Sequence, residues 1–255
     1  MRFSANLGFL FTEFGLPDAV RAAHRAGFAA VECHFPYATP LPVLKAALDE
    51  TGLPLHALNT APGDIAAGEF GLAALPRRRA EARDAIDTAI AYAAACGAKH
   101  VHVMAGKSGG GTAAEDAFRA NLDHACTTAA ASGLGVLIEP INTRDVPGYH
   151  LSTLEHGASV IAALGHANLR LMFDCYHVQI MQGDVTGRLA RFLPLLGHVQ
   201  IAAVPDRGAP DHGELDYRHV FDTLRNLGWT SPIGAEYRPG GPTQNTLQWM
   251  RAARD

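Results

Sequence analysis

Four apolar runs in the second half of the chain each end on an oxygen-bearing side chain. They are Gly135-Val-Leu-Ile-Glu139, Leu169-Arg-Leu-Met-Phe-Asp174, Gly197-His-Val-Gln200 and Pro232-Ile-Gly-Ala-Glu236. Runs of this kind are buried on both faces as central strands. A charge at the tip of such a strand needs a partner, because burying it unpaired is costly. Three carboxylates and an amide at successive tips, Glu139, Asp174, Gln200 and Glu236, suggest one shared partner, a hard divalent cation. All-oxygen ligation suits Mg²⁺ or Mn²⁺ better than zinc. The plainer alternative is that each acid caps a helix or makes a local ion pair.

Two glutamates across one cation define a chemistry. The cation polarises a carbonyl and its neighbouring hydroxyl, which lowers the cost of an enediolate. One glutamate takes a proton from carbon, and either one returns it to the next carbon. That is aldose–ketose isomerisation or epimerisation, with Glu139 and Glu236 as the acid/base pair. It needs no organic cofactor, and the sequence carries no cofactor motif. His177, three residues beyond Asp174, and the strand histidines His102 and His56 are candidate substrate contacts. His34 and His212 are further histidines near the expected site. Arg207, in Asp206-Arg-Gly-Ala-Pro210, can fork onto a substrate carboxylate, and Arg144 is a second such arginine. Asn59 and Glu214 can hydrogen-bond a polyol.

These groups must be positioned by alternating elements. Strand-like runs fall at 3–9, 29–34, 53–59, 100–104, 136–139, 169–174, 198–201 and 233–236. Helical patterns fill 17–26, 42–50, 77–95, 113–131, 152–164, 184–193, 217–227 and 243–253, several stopping at a glycine. Ser152-Thr-Leu-Glu155 has the form of a capping box. Repeated βα units imply parallel strands, and eight of them favour one closed (β/α)8 TIM barrel spanning 1–255. A doubly wound sheet fits less well, because no G-x-G-x-x-G follows the first strand. Gly109-Gly-Gly111 lacks phosphate-loop spacing and reads as a flexible loop. The longer loops, 59–75, 106–112, 140–151, 176–183, 202–216 and 237–242, each follow a strand. They therefore open on the face where barrel active sites lie.

The chain has 255 residues, 48% of them apolar, enough for one large core. A net charge of −4 argues against a nucleic-acid partner. The four cysteines, Cys33, Cys96, Cys126 and Cys175, form no C-x-x-C pair and read as buried free thiols. No segment has the length of a membrane span, so a soluble cytoplasmic protein is expected. Phe70 and Leu72, apolar residues in the 59–75 loop, would serve loop packing, a lid or a homo-oligomer contact.

The chain resembles hydroxypyruvate isomerase, within the xylose isomerase-like group of TIM barrels. The carriers span nearly the whole length. They include Phe3-Ser-Ala-Asn-Leu7 with Phe11-Thr-Glu13, Asn59-Thr-Ala-Pro-Gly-Asp64 and His102-Val-Met-Ala-Gly106. Ile138-Glu-Pro-Ile-Asn-Thr-Arg-Asp145, Phe173-Asp-Cys-Tyr-His177, His198-Val-Gln-Ile-Ala202, Gly213-Glu214 and Gly234-Ala-Glu-Tyr-Arg-Pro239 complete the set. The resemblance implies that Glu139 and Glu236 are catalytic and that Glu139, Asp174, Gln200 and Glu236 hold the metal. It implies interconversion of hydroxypyruvate and 2-hydroxy-3-oxopropanoate (tartronate semialdehyde), small hydroxy-oxo acids whose carboxylate gives Arg207 a task.

One segment departs from that pattern. Ile201-Ala-Ala-Val-Pro-Asp-Arg207 lacks the acid expected after Ile-Ala and looks more like the related 2-oxo-tetronate isomerases. Residues 139–145 look like the hydroxypyruvate type. A ketose 3-epimerase would use the same site. An apurinic-site endonuclease of the same fold group would use His56, His102, Glu139, Asp174, His177 and Glu236. Gln200, the adjacent Asp211-His212 and the acidic charge speak against that reading. A non-catalytic sugar-binding barrel would not need both glutamates.

Overall fold

Eight short apolar runs pair in parallel, in chain order, and close into a barrel. The strands are β1 (Phe3–Asn6), β2 (Ala30–Cys33), β3 (Leu55–Asn59), β4 (His100–His102), β5 (Gly135–Ile138), β6 (Leu169–Asp174), β7 (Leu196–Ile201) and β8 (Ile233–Ala235). The coordinates are a computed structural model that describes residues 1–253. Arg254 and Asp255, the last two positions of the expected 1–255 barrel, lie outside the described residues. Helices α1 (Leu16–Arg25), α2 (Leu41–Thr51), α3 (Arg79–Cys96), α4 (Thr112–Ala130), α5 (Leu154–Leu164), α7 (Val185–Phe192) and α8 (Tyr217–Asn226) follow the sequence expectation within a few residues. Gly97 and Gly165 end α3 and α5 in the left-handed conformation that a side chain would disfavour.

The main core lies between the strands and the helical ring, with Phe3, Phe118, Phe173, Leu44 and Ile86 fully buried in it. Inside the barrel the filling is different. Ala57, Leu137 and Met172 form a small separate apolar cluster. Beside it lies a buried polar layer of Ser4, Glu32, His56, His198 and Gln200. Gly234 makes room for that layer. A Cβ there would stand 2.5 Å from Glu32 Oε1 and 2.8 Å from both Gln200 Cγ and His198 Nε2.

Three expectations needed correction. The 176–183 segment, expected as a loop, forms α6 (Cys175–Met181) directly off the β6 tip. Asp174 caps it by accepting the Tyr176 N–H at 2.9 Å. The capping box at 152–155 is not formed. Thr153, one residue closer to α5, accepts the His156 N–H, while Glu155 pairs with Gln182 and Arg188. The last pattern, 243–253, splits into a 3₁₀ turn (Thr243–Thr246) and α9 (Gln248–Ala252).

Leu72 is buried, and Phe70 packs edge-on to Tyr149 at 6.0 Å, so loop packing accounts for both. The four cysteines are buried and free. No helix among the described residues is long and apolar enough to cross a membrane.

Candidate active site

Strand register sets the site. Asp174 on β6 stands beside Gln200 on β7, and Gln200 beside Gly234 on β8, which brings Glu236 up at the next inward-facing position. Glu139 follows the last residue of β5. Glu139 and Glu236 line a cavity of about 220 Å³ together with His102, His177, Asn59 and Arg207. Phe9, Phe35 and Phe70 close its apolar side. A larger groove of about 660 Å³ lies outside the barrel between the 210–218 segment and Trp249. None of the strand-tip residues lines that groove, so it is remote from this chemistry.

Arg207 is the cation of the cavity. Its Nη2 donates to Glu236 Oε2 at 2.5 Å and to Asp174 Oδ2 at 3.4 Å. Phe9 and Tyr176 sandwich the guanidinium at 4.8 and 5.0 Å. Its backbone has φ of 57°, rare for a residue with a side chain. Hydrogen bonds from Arg207 N–H to Ala203 O and from Arg238 N–H to Arg207 O hold that conformation. Glu236 also accepts from Asn6 Nδ2 at 2.7 Å and contacts His34 Nε2 at 3.0 Å.

The two glutamates have opposite electrostatics. Burial, then the neighbouring Glu236 and Asp174, push Glu139 well above the usual carboxylate range. Burial also raises Glu236, but Arg207 and His34 outweigh it and hold the group below its ordinary value. Burial lifts Asp174 to about 7 against the pull of Arg207. His102 falls to about 4 through burial, and burial with Arg207 takes His177 well below its usual value. Both rings are therefore neutral at physiological pH. Environments that separate two nearby carboxylates in this way are how one site obtains an acid and a base.

Some of these groups are spaced so that they could hold a metal ion. Glu139 Oε1 and Gln200 Oε1 are buried with no hydrogen-bond partner among the described residues. Such orphans are rare in native folds and point to an unfilled role. Ligand atoms of Glu139, Asp174 and His177 lie within 4.8 Å of one another. A second group of that spacing, Glu115 with His150 and His156, is a closed hydrogen-bonded cluster. Both Nε2 atoms meet Glu115 Oε2, at 3.0 and 2.9 Å, and Arg119 takes the other oxygen.

The other expected residues divide. His102 Nδ1 stands 3.8 Å from Glu139 Oε2. Asn59 lines the cavity, and its backbone oxygen accepts the Tyr37 hydroxyl. Gln200 sits below the cavity with Nε2 donating to Glu32 Oε2 at 2.7 Å. His56 is not brought to the cavity. Its ring lies 4.5 Å from His198 in the interior layer, and neither of its nitrogens has a hydrogen-bond partner among the described residues. His212 pairs with Asp206 and Asp211 on an exposed loop, and Arg144 is exposed. Sequence reasoning missed Glu32, Asn6, Asn142 and Tyr176. Glu32 had a signal: it is a charge inside an apolar run, the same anomaly that marked the strand tips.

Residues 20–253 match the xylose isomerase-like TIM barrel family. The chain is 46% identical to the 2-oxo-tetronate isomerase of Cupriavidus necator, covering 98% of this chain and 97% of that one. It is 37% identical to the hydroxypyruvate isomerase of Escherichia coli, covering 98% of each. The crystal structure of an AP endonuclease, family 2, from Brucella melitensis superposes with a TM-score of 0.95 at 39% identity, covering 100% of this chain and 99% of that one. With its closed eight-stranded barrel and these full-length relatives, the chain belongs to the xylose isomerase-like TIM barrel family, among the hydroxypyruvate and 2-oxo-tetronate isomerases.

Proposed function

We propose that this protein is a metal-assisted isomerase of small hydroxy-oxo acids that interconverts hydroxypyruvate and 2-hydroxy-3-oxopropanoate. One observation carries the reading: two buried glutamates, on strands three apart around the barrel, line one cavity that also holds Arg207. Its volume, about 220 Å³, is below that of common ligand pockets and suits a three- or four-carbon acid.

Glu139, Asp174, Gln200 and Glu236 would hold the cation, Mg²⁺ or Mn²⁺ by their all-oxygen chemistry. When bound, it would polarise the substrate's carbonyl and adjacent hydroxyl. The chain's own groups do the rest. One glutamate of the pair removes a proton from C3 of hydroxypyruvate, and that electron pair forms the C2–C3 double bond. A proton delivered to C2 by the pair, with transfer of the hydroxyl proton from O3 to O2, completes the aldehyde. Arg207 Nε is buried without a hydrogen-bond partner among the described residues and would donate to the substrate carboxylate. His177 and His102 offer neutral ring nitrogens to the substrate oxygens, and the phenylalanine wall keeps water from the carbanion.

A second reading, isomerisation of the four-carbon 2-oxo-tetronate, is favoured by Ala203 in the 201–207 segment and by the 46% identity to the Cupriavidus necator enzyme. The endonuclease reading is disfavoured by Gln200, an amide where a zinc site would take a histidine, and by His212, which is tied to Asp206 and Asp211 on the exposed loop.

The test is an NMR assay in D₂O with hydroxypyruvate, Mg²⁺ or Mn²⁺, and a parallel sample with EDTA. The expected result is metal-dependent 2-hydroxy-3-oxopropanoate carrying deuterium at C2. Turnover of 2-oxo-tetronate alone would move the assignment to the second reading. Full activity after exhaustive chelation would remove the metal from the mechanism.

A further inference from the structure

Asn142 is fully buried four residues beyond β5, and nothing in the proposed chemistry requires it. Its surroundings fix the orientation of its side-chain amide. Oδ1 accepts the Asp145 N–H at 2.8 Å, and Nδ2 donates to Asp145 Oδ2 at 3.1 Å. The reversed amide would set oxygen against carboxylate and NH₂ against N–H. The remaining Nδ2 hydrogen faces His177 Nδ1 at 2.7 Å. The backbone N–H of Asn142, which can only donate, meets the same nitrogen at 3.3 Å. Tyr176 completes the frame, its hydroxyl donating to Asp145 Oδ2 at 2.8 Å.

Two donors aimed at one ring nitrogen require a lone pair there. A neutral imidazole then carries its proton on the other nitrogen. His177 Nε2 faces the cavity, 3.6 Å from both Glu139 Oε1 and Asp174 Oδ2 and 3.5 Å from Arg207 Nη2, a longer approach than the two donors make to Nδ1 at 2.7 and 3.3 Å. A nitrogen that bears a proton cannot ligate a metal, so the proximity of His177 to Glu139 and Asp174 is not ligation. Burial, which keeps the ring neutral, is consistent with this.

We propose that Asn142 is a positioning residue that locks His177 in its Nε2–H form, making it a hydrogen-bond donor to the substrate oxygen and excluding it from the metal's ligand set. The substrate half rests on the proposed isomerase reading; the tautomer half does not. Partners that orient metal-bound histidines through the far nitrogen change affinity or activity about 10- to 100-fold when removed, and an effect of that order is expected for this ring.

The test starts from the resting protein, without substrate. ¹⁵N-histidine labelling, with His177 assigned by its absence from a His177→Gln variant, should show a pyridine-like Nδ1 and a pyrrole-like Nε2. The reverse pattern overturns the proposal whatever the activity. Asn142→Asp keeps shape but replaces the donor with an acceptor, and should invert the pattern and lower kcat about 10- to 100-fold with a smaller change in KM. An unchanged tautomer and kcat in that variant would equally overturn it. Should that variant not fold, Mn²⁺ titration of His177→Gln still decides the ligand half. Undiminished affinity is expected, and a large loss would make His177 a ligand. Absence of turnover in the wild type with the expected tautomer would count against the isomerase reading alone.

Discussion

The barrel buries carboxylates at two levels, and Glu32 in the interior and Glu139 at the mouth behave oppositely. In the interior, Glu32 accepts from Ser4 Oγ at 2.5 Å and Gln200 Nε2 at 2.7 Å, and meets His198 Nε2 at 3.1 Å. Burial raises its pKa, but His198 and Ser4 outweigh burial and bring it to about 2. At the mouth, Glu139 is equally enclosed, yet one of its oxygens has no partner and its pKa is raised. Burial is common to both, so the partners make the difference. Glu32 is saturated by partners inside the barrel and is structure, whereas Glu139 keeps an oxygen ready for a ligand or a proton, and Glu236 shares its partner Arg207 with the cavity. Gln200 joins the two levels, its Nε2 spent on Glu32 and its Oε1 left free.

The largest expected effect is at the mouth. Glu236→Gln should retain the fold and lower kcat about 10²- to 10⁴-fold, read by the NMR assay with hydroxypyruvate. Activity near wild type would take Glu236 out of the acid/base pair and leave the contrast between levels without a chemical meaning.

The interior level predicts a loss of stability. Glu32→Gln leaves His198 without its anionic partner and should cost about 3–5 kcal/mol in urea unfolding. The sign of its pH dependence follows from the depressed pKa. The wild-type advantage is present above the unfolded value near 4.5 and fades as pH falls toward about 2. A variant as stable as wild type at neutral pH would show that the interior acid is not held by its partners.

How much of this was legible in the chain depends on what each residue's neighbours had to reveal. The eight strands and the strand-tip acids could be read because apolar runs and buried charges stand out locally. Asp174 could be read as a ligand or as a cap, and the two roles need not compete, because Oδ1 caps α6 while Oδ2 faces Arg207 and the cavity side. Helix α6 went unread because it starts on the residue after β6, with no break in the pattern. His56 and His102 are both strand histidines. Only the closed barrel shows that one lies beside His198 in the interior and the other at the cavity. Asn142 acts through His177, 35 positions away, and no local signal encodes that contact.

Arg207 sharpens the comparison from the cationic side, since its guanidinium meets both Glu236 and Asp174 at the mouth. Arg207→Ala should raise KM for carboxylate substrates about 10- to 100-fold, the value of a charged hydrogen bond, and affect neutral ketoses less. An equal loss on both classes would mean that it supports the loop and not the carboxylate.

The smallest effect is the most discriminating, because it has the opposite sign. Glu139→Gln should stabilise the metal-free chain by about 1 kcal/mol near pH 8, within the usual range of single substitutions. A raised carboxylate pKa contributes stability below the unfolded value near 4.5 and loses it as pH rises through the folded one. The variant carries no such charge, so its advantage should vanish in acid and grow toward alkaline pH, the reverse of the course at Glu32. Added Mn²⁺ should cancel the gain, since the wild type would then bind the ion more tightly and be stabilised by mass action. If Glu139→Gln destabilised the metal-free chain at every pH, the mouth would be held by its partners just as the interior is. The unpartnered oxygen of Glu139 would then carry no functional meaning.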